Sequence, residues 1–293
     1  MSLGKSNSIS AIYMQLQRWN NFYNNKVVFG RLNSNEKKLI TDNAKYKNKY
    51  KGKKCFIIGN GPSVNNMDFD WLNKELVITV NEMFRHKKFN QLNSNFHFIA
   101  DPVYLQLNKR NAGDAEIINK IHFLADSNTT LFFPIQGAKL VRQYGWHKKL
   151  NIQYFSSRLY YYDNYKEDFD FARYLPIFQA VVQWAIAFAI YLGCSEIDLL
   201  GCDATNIVTD VSLFAKQDVD LTYAYDLSQE AADLVKKKHK SLGLECTLYG
   251  YWRIVHLFSE LYEYCKKNGV NLYNCSENTI LDCIPRRRLD DIL

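Results

Sequence analysis

Again and again this chain passes from an apolar run to a turn residue to a helical pattern, and that repetition restricts its fold more than any other feature. Runs at 55–59 ("CFIIG"), 76–80 ("LVITV"), 96–100 ("FHFIA"), 130–134, 151–155, 196–201 ("EIDLLG") and 270–273 read as strands. Between them lie segments with helical spacing: a short one at 63–73, one opening at Asp101-Pro102, one at 136–144, an apolar one at 177–192, and an amphipathic one at 251–268 closed by Gly269. Strands that alternate with helices pair in parallel through right-handed crossovers. The pattern predicts an α/β fold built on a doubly wound, mostly parallel, Rossmann-like sheet.

Charge is segregated along the chain. Residues 1–54 hold twelve Lys/Arg against Glu36 and Asp42, a net +10, so the rest of this +7 protein carries −3. The folded part is no basic platform, and no nucleic-acid partner is expected. Residues 1–52 read as a helical, basic leader, with helical spacing over 8–30 and a lysine-rich stretch at 45–54 ("KYKNKYKGKK"). Residues 53–293 read as the domain proper, with insertions near 157–172 and 206–222 that would form a lid or substrate subdomain. The leader suits an anionic membrane surface, a polymer, phosphates or a solvated linker. Its aromatic helix suits packing on its own core or on a second subunit, so a homo-oligomer is one expected arrangement. The longest apolar run, 181–194, is interrupted by Gln183 and is too short to span a bilayer. Seven cysteines without a C-x-x-C pair argue against a disulfide framework or a zinc knuckle. The expected location is the cytoplasm, with the leader on the cytoplasmic face of the inner membrane.

In an open α/β sheet ligands bind beyond the carboxyl ends of the strands. Those ends read Gly59-Asn60-Gly61-Pro62-Ser63, Asn81, Asp101-Pro102 and Gly201-Cys202-Asp203. Gly59 and Gly61 let backbone come close to a ligand, Pro62 is preset for a first helical turn, and Ser63 caps or donates. The exposed N–H groups and positive helix end would favour a phosphate. The turn lacks the Gly-Lys-Ser/Thr of a P-loop and the third glycine of the dinucleotide fingerprint, so it supports neither chemistry. Asn81 offers donors and an acceptor for a base or sugar hydroxyl. Asp101 and Asp203 would orient ribose, act in acid/base chemistry, or simply cap helices. The D-x-D triplets Asp68/Asp70, Asp168/Asp170 and Asp218/Asp220 do not follow apolar strands and read as surface charge, so no metal site is expected.

Taken together, "IIGNGPS", the "VN" ending the second strand, the Asp-Pro ending the third and "AIAFAIYLGCSEIDLLGCD" resemble the bacterial CMP-sialic-acid sialyltransferases of glycosyltransferase family 42. "TYAYDLSQ" and "NLYNCSENTIL" extend the likeness, in order, over residues 53–283. The resemblance implies a GT-A-variant fold and a metal-independent enzyme whose turn residues Asn60, Gly61 and Ser63, with Asn81, hold a cytidine nucleotide. It maps a nucleotide contact onto Asp101 and a donor-phosphate tyrosine onto Tyr223. The family's Ser-Gly pair falls on Val181-Val182, a further phosphate tyrosine on Thr205, and its catalytic histidine near Tyr251-Trp252. His256 is the nearest histidine to that place. The motility-accessory-factor and pterin-pyrophosphokinase-like family is similar as well, through Gly-Pro-Ser, Asp101-Pro102 and Gly201-Cys202-Asp203.

These likenesses imply a glycosyltransferase that takes a nucleotide-activated sugar, a CMP-linked nonulosonate foremost, and passes it to a glycan acceptor for surface-polysaccharide synthesis, with no separate cofactor. Nucleotide contacts are expected from Gly59, Asn60, Gly61, Pro62, Ser63, Asn81, Asp101, Gly201 and Tyr223. The base that activates the acceptor hydroxyl is sought, in order, at Asp203, His256 and Asp101. Two other readings stay open: a pterin diphosphokinase-like enzyme using ATP and Mg²⁺, and a non-catalytic nucleotide- or glycan-binding protein of the same fold.

Overall fold

Eight strands make one sheet in the computed structural model, which describes residues 4–108, 112–125, 129–215, 223–226 and 229–292. In chain order they are β1 (Lys54–Ile58), β2 (Leu76–Val80), β3 (Phe96–Phe98), β4 (Thr130–Pro134), β5 (Asn151–Leu159), β6 (Tyr174–Pro176), β7 (Glu196–Leu200) and β8 (Asn271–Asn274). The spatial order is β6-β5-β4-β3-β2-β1-β7-β8, and every pairing among the described residues is parallel. Successive side chains of a strand face opposite sides. Cys55 and Ile57 therefore enter one apolar layer and Phe56 and Ile58 the other. Both layers are buried, which is why these strands read as unbroken apolar runs.

The α-helices are α1 (Gly4–Tyr23), α2 (Ser34–Thr41), α3 (Ala112–Lys120), α4 (Ala138–Gln143), α5 (Val181–Tyr191), α6 (Asn206–Ser212), α7 (Gln229–Leu242) and α8 (Leu244–Lys267). Helices α5 and α8 contribute to the layer of Cys55 and Ile57, α3 and α4 to the layer of Phe56 and Ile58. The sheet is doubly wound, as its sequence predicts.

Several boundaries differ from the sequence expectation for local reasons. The helix expected at 63–73 is two short 3₁₀ turns, Pro62–Asn66 and Asp70–Lys74. Between them the Asp68 carboxylate accepts the Asp70 N–H at 3.1 Å, a side-chain bond that competes with helix continuation. Helix α5 starts only at Val181, because Gln183 Oε1 accepts the N–H groups of Gln179 and Ala180 at 3.0 and 3.1 Å and caps it there. The same fully buried Gln183 donates through Nε2 to the Ile254 carbonyl at 2.9 Å, tying α5 to α8. Helix α8 begins at Leu244 rather than 251, and strand β6 and helix α7 lie where the sequence reading placed no element.

Much of the tyrosine-rich segment near 157–172 is core rather than lid. Tyr162 and Tyr165 are buried, and Tyr165 stacks on Tyr161 and Phe169 at centroid separations of 4.9 and 5.5 Å. The leader is likewise integrated. Asn43 donates to the carbonyls of Tyr154 and Phe171 at 2.7 and 3.0 Å, and Tyr46 packs edge-on against Phe96 and Phe132. In the second insertion α6 is described, while residues 216–222, including Asp218 and Asp220, lie outside the described residues.

A buried histidine pins the end of β2 to β3. His97 is fully buried, and its Nε2 donates to the Asn81 carbonyl at 2.7 Å, which leaves Nδ1 to accept from the Thr79 hydroxyl at 2.7 Å. This arrangement needs a neutral ring, and burial pushes its pKa down to about 3 from 6.5, partly opposed by the Asn81 carbonyl. The unfolded chain takes up the proton near 6.5 and the native chain near 3. Stability must therefore fall as pH drops through that window, at about 1.4 kcal/mol per pH unit. Urea denaturation in mildly acidic buffers should show a pH slope that His97→Gln makes shallower by about that amount; an unchanged slope would assign the titration to another group.

Candidate functional site

The chain leaves β1 toward β2 on one side, and β7 later returns on the other. A crevice opens where the strand order reverses, at the carboxyl ends of β1 and β7. The two glycine turns meet there: Gly59 N–H donates to the Leu200 carbonyl and Gly61 N–H to the Gly201 carbonyl, both at 2.8 Å. Only glycine allows the approach at Gly61, where a Cβ would stand 2.5 Å from Asp203 Oδ2. Gly201 has φ +63° and would press a Cβ within 2.6 Å of Val64 Cγ1.

Asp203 clasps the turns together. Its Oδ2 accepts the Ser63 N–H at 2.9 Å and its Oδ1 the Ser63 hydroxyl at 2.6 Å, with the residue 1% exposed. The N–H groups of Gly61 and Ser63, expected to hold a phosphate, are thus engaged by a carbonyl and a carboxylate of the protein. The positive end of a long helix is also absent, since Pro62–Asn66 is one 3₁₀ turn. From the other side the segment after β8 grips the Gly201-Cys202-Asp203 turn. Ser276 Oγ accepts the Cys202 N–H at 2.7 Å, Thr279 Oγ1 donates to the Cys202 carbonyl at 2.9 Å, and Ile280 N–H donates to the Asp203 carbonyl at 2.9 Å.

Beside this knot lies a pocket of about 220 Å³. Its walls come from the first turn (Asn60, Gly61, Pro62), the start of α5 (Ala180, Val181, Val182) and the stretch from Gly201 to Ile207. Val80 at the end of β2, Tyr223, the α8 residues Tyr251, Ile254 and Phe258, and Leu281 complete it. Asn60 Oδ1 is buried with no hydrogen-bond partner, while the Asn60 carbonyl accepts the Ala224 N–H at 3.0 Å and draws Tyr223 to the pocket. Tyr251 donates its phenol to Asp210 and accepts from Asn206 Nδ2 at 3.1 Å. Burial, then the Asp210 charge, pushes the Tyr223 phenol up to about 12, and burial with the Asp210 bond raises Tyr251 as well. Both stay protonated at neutral pH, so they act as donors and not as bases.

Of the residues singled out from the sequence, Asn60, Gly61, Pro62, Gly201, Asp203 and Tyr223 line this pocket, with Gly59 and Ser63 in the knot behind it. Asn81, at φ +45°, is held by His97 and lies outside the lining. Asp101 is an exposed cap whose Oδ1 accepts the Val103 N–H at 3.0 Å, also outside it. His256 belongs to α8, but it sits about 200° around the helix from Ile254. It turns instead to Asp163, at 2.9 Å, and stacks on Trp252 at 5.0 Å. Asp163, His256 and Glu260 bring donor atoms within 4.8 Å of one another, and none of the three is in the pocket lining. The three residues proposed as base are therefore not gathered together, and the one in the pocket is bound to Ser63.

Sequence reasoning passed over Gln183, Asp210, Ser276 and Thr279, whose partners are distant in the chain. Tyr251 carried a signal only as the place where a histidine was expected.

A family model described as "MptE-like: 6-hydroxymethylpterin diphosphokinase MptE-like" matches residues 30–209, more than half of the chain. No curated protein matches the chain. Among solved structures, the apo crystal structure of alpha-2,3-sialyltransferase from Campylobacter jejuni aligns with 17% identity and a TM-score of 0.36, covering 80% of each chain.

The clasp gives a direct test. Ser63→Ala removes one charge-assisted bond to a buried carboxylate and should cost about 1.5–3 kcal/mol in urea denaturation. Gly61→Ala, which forces a Cβ onto Asp203, should cost at least as much. Near-neutral effects at both positions would show that the two turns are not held by this contact.

Proposed function

The chain belongs to the 6-hydroxymethylpterin diphosphokinase MptE-like family, and from that premise we propose that it is a transferase that seats a nucleotide-activated donor in the β1/β7 crevice. The observation that carries this reading is Asn60, a residue of the pocket lining whose Oδ1 is a buried acceptor without a donor. An acceptor in that condition costs free energy until a ligand supplies an N–H or O–H. A base amino group or a ribose hydroxyl supplies one. The largely apolar walls suit a base and a sugar face, and a space of about 220 Å³ takes a nucleoside more readily than a whole nucleotide sugar. The transferred group would lie at the mouth, with the protonated Tyr223 as donor to the departing phosphate.

Within that class, glycosyl transfer from a CMP-linked nonulosonate to a glycan acceptor is the reading we favour. Among the described residues the pocket lining holds no lysine or arginine, and its one carboxylate, Asp203, is committed to Ser63. Such walls suit a single phosphate better than a triphosphate with its cation. The family description supports a second reading, diphosphoryl transfer from ATP with Mg²⁺ onto a pterin. Because Asp101 and His256 lie outside the pocket lining, a binding protein without transfer activity is the third outcome.

Thermal denaturation with CMP, CDP, UDP, ATP and GTP, each with and without Mg²⁺, separates them. A cytidine nucleotide without added metal should stabilise the protein, by about 2.7 kcal/mol at a hundredfold excess over its dissociation constant. Asn60→Leu should abolish the gain. A response confined to ATP with Mg²⁺ would replace glycosyl by diphosphoryl transfer, and silence toward every nucleotide would remove the site itself. Binding without hydrolysis or transfer would leave the third outcome.

A further inference from the structure

Helix α1 presents two opposed faces, and only one is used by the fold. At about 100° per residue, Ile12, Leu16, Trp19 and Tyr23 fall within a narrow stripe, and Asn21 lies almost diametrically opposite. Asn21 is buried and binds the Tyr160 backbone twice, Nδ2 donating to its carbonyl at 2.9 Å and Oδ1 accepting its N–H at 2.8 Å. On the inner side Met14 packs on the core, and Arg18 lies over the Tyr162 ring at 5.8 Å. The rotation of the helix is therefore set by specific contacts, and the outer stripe is turned to solvent by the same contacts.

That outer stripe is apolar and aromatic. Ile12, Leu16 and Trp19 are 59%, 62% and 67% exposed, flanked by the exposed Tyr13, Phe22 and Tyr23, and Trp19 stacks on Tyr23 at 5.9 Å. Four large side chains in one stripe, with Tyr13 and Phe22 at its two margins, form a patch that a soluble surface does not normally leave open. We propose that α1 lies flat on an anionic lipid bilayer, with this stripe in the interface and the basic leader against the headgroups. Charge complementarity selects the occupant. Residues 1–54 carry a net +10, of which Lys54 is paired with Glu196 and Arg18 lies over Tyr162, while the remainder carries −3, so an anionic surface favours the leader over the body of the protein. A symmetric second copy would instead bring together two helices whose charged residues are Lys5 and Arg18, and residues 4–23 contain no acidic side chain to pair with a partner's Lys or Arg. Tyrosine and tryptophan belong at the bilayer–water boundary, where an amphipathic helix lies in the plane of the membrane. No helix of the described residues is long and apolar enough to cross a membrane, so the contact is with the surface.

The test is co-sedimentation of the full chain with vesicles of phosphatidylcholine alone or with one third phosphatidylglycerol, at low and high salt, beside size-exclusion light scattering without lipid. The protein should sediment with the anionic vesicles only, and high salt should release it. The combined variant Ile12→Gln, Leu16→Gln and Trp19→Gln should lose at least about tenfold in binding while melting at the wild-type temperature, because those side chains make no core contact. Failure to bind anionic vesicles, or equal binding by the variant, overturns the proposal. A wild-type dimer that the variant converts to monomer also overturns it and makes the stripe a subunit interface.

Discussion

A single carboxylate holds the central part of this molecule in register. Asp203 spends both oxygens on Ser63, whose position lies at the far end of another βα turn. The contact is available only because Gly61 and Gly201 let the two turns come within van der Waals range. Because the carboxylate is buried and doubly bonded, loosening it would leave a desolvated charge without partners, an expensive state. The knot therefore fixes the edge of the crevice on which the pocket depends. The segment after β8 reinforces it through Ser276, Thr279 and Ile280.

Around that knot the chemistry divides cleanly. Two buried polar side chains serve the fold directly: Gln183 joins α5 to α8, and His97 holds Asn81. Among the described lining residues, Asn60 carries the side-chain oxygen that is buried and unpaired, and the same pocket draws on the first turn, α5, α8 and the stretch after β7. Burial, with the nearby Asp210 charge, keeps the two pocket tyrosines protonated and makes them donors. A site with donors, one orphan acceptor and apolar walls is built to hold a ligand in one orientation, and it contains no free general base among its described lining residues.

The strand runs and their terminal turns were legible because they depend on neighbours in sequence: alternation of side chains, β-branching, and Gly, Asn or Asp where the chain must turn. The doubly wound sheet follows from that pattern. Local chemistry that competes with helix formation was harder to read. Asp68 breaks the expected helix at 63–73 by capturing the Asp70 N–H, and Gln183 delays α5 by capping it from inside an apolar run. Strand β6 was missed because its three residues are too few to show a period. The tyrosines at 161, 162 and 165 fall in a segment expected to form a lid or substrate subdomain, yet their rings pack in and against the core beside Phe169.

The amino-acid sequence alone determined the fold class, the position of the glycine turns and the set of polar residues at strand ends, since each rests on short-range periodicity and backbone conformation. Only the tertiary structure decided which of those residues share a pocket. Asp203 and Ser63 are 140 positions apart, so no spacing reveals that the aspartate occupies the donors a phosphate would need. Helix phase, set by which face of α8 packs on the sheet, turns Tyr251 and Ile254 into the pocket and His256 toward Asp163. Whether a polar strand-end residue serves a ligand or the fold is settled by such long-range packing, which no local pattern encodes.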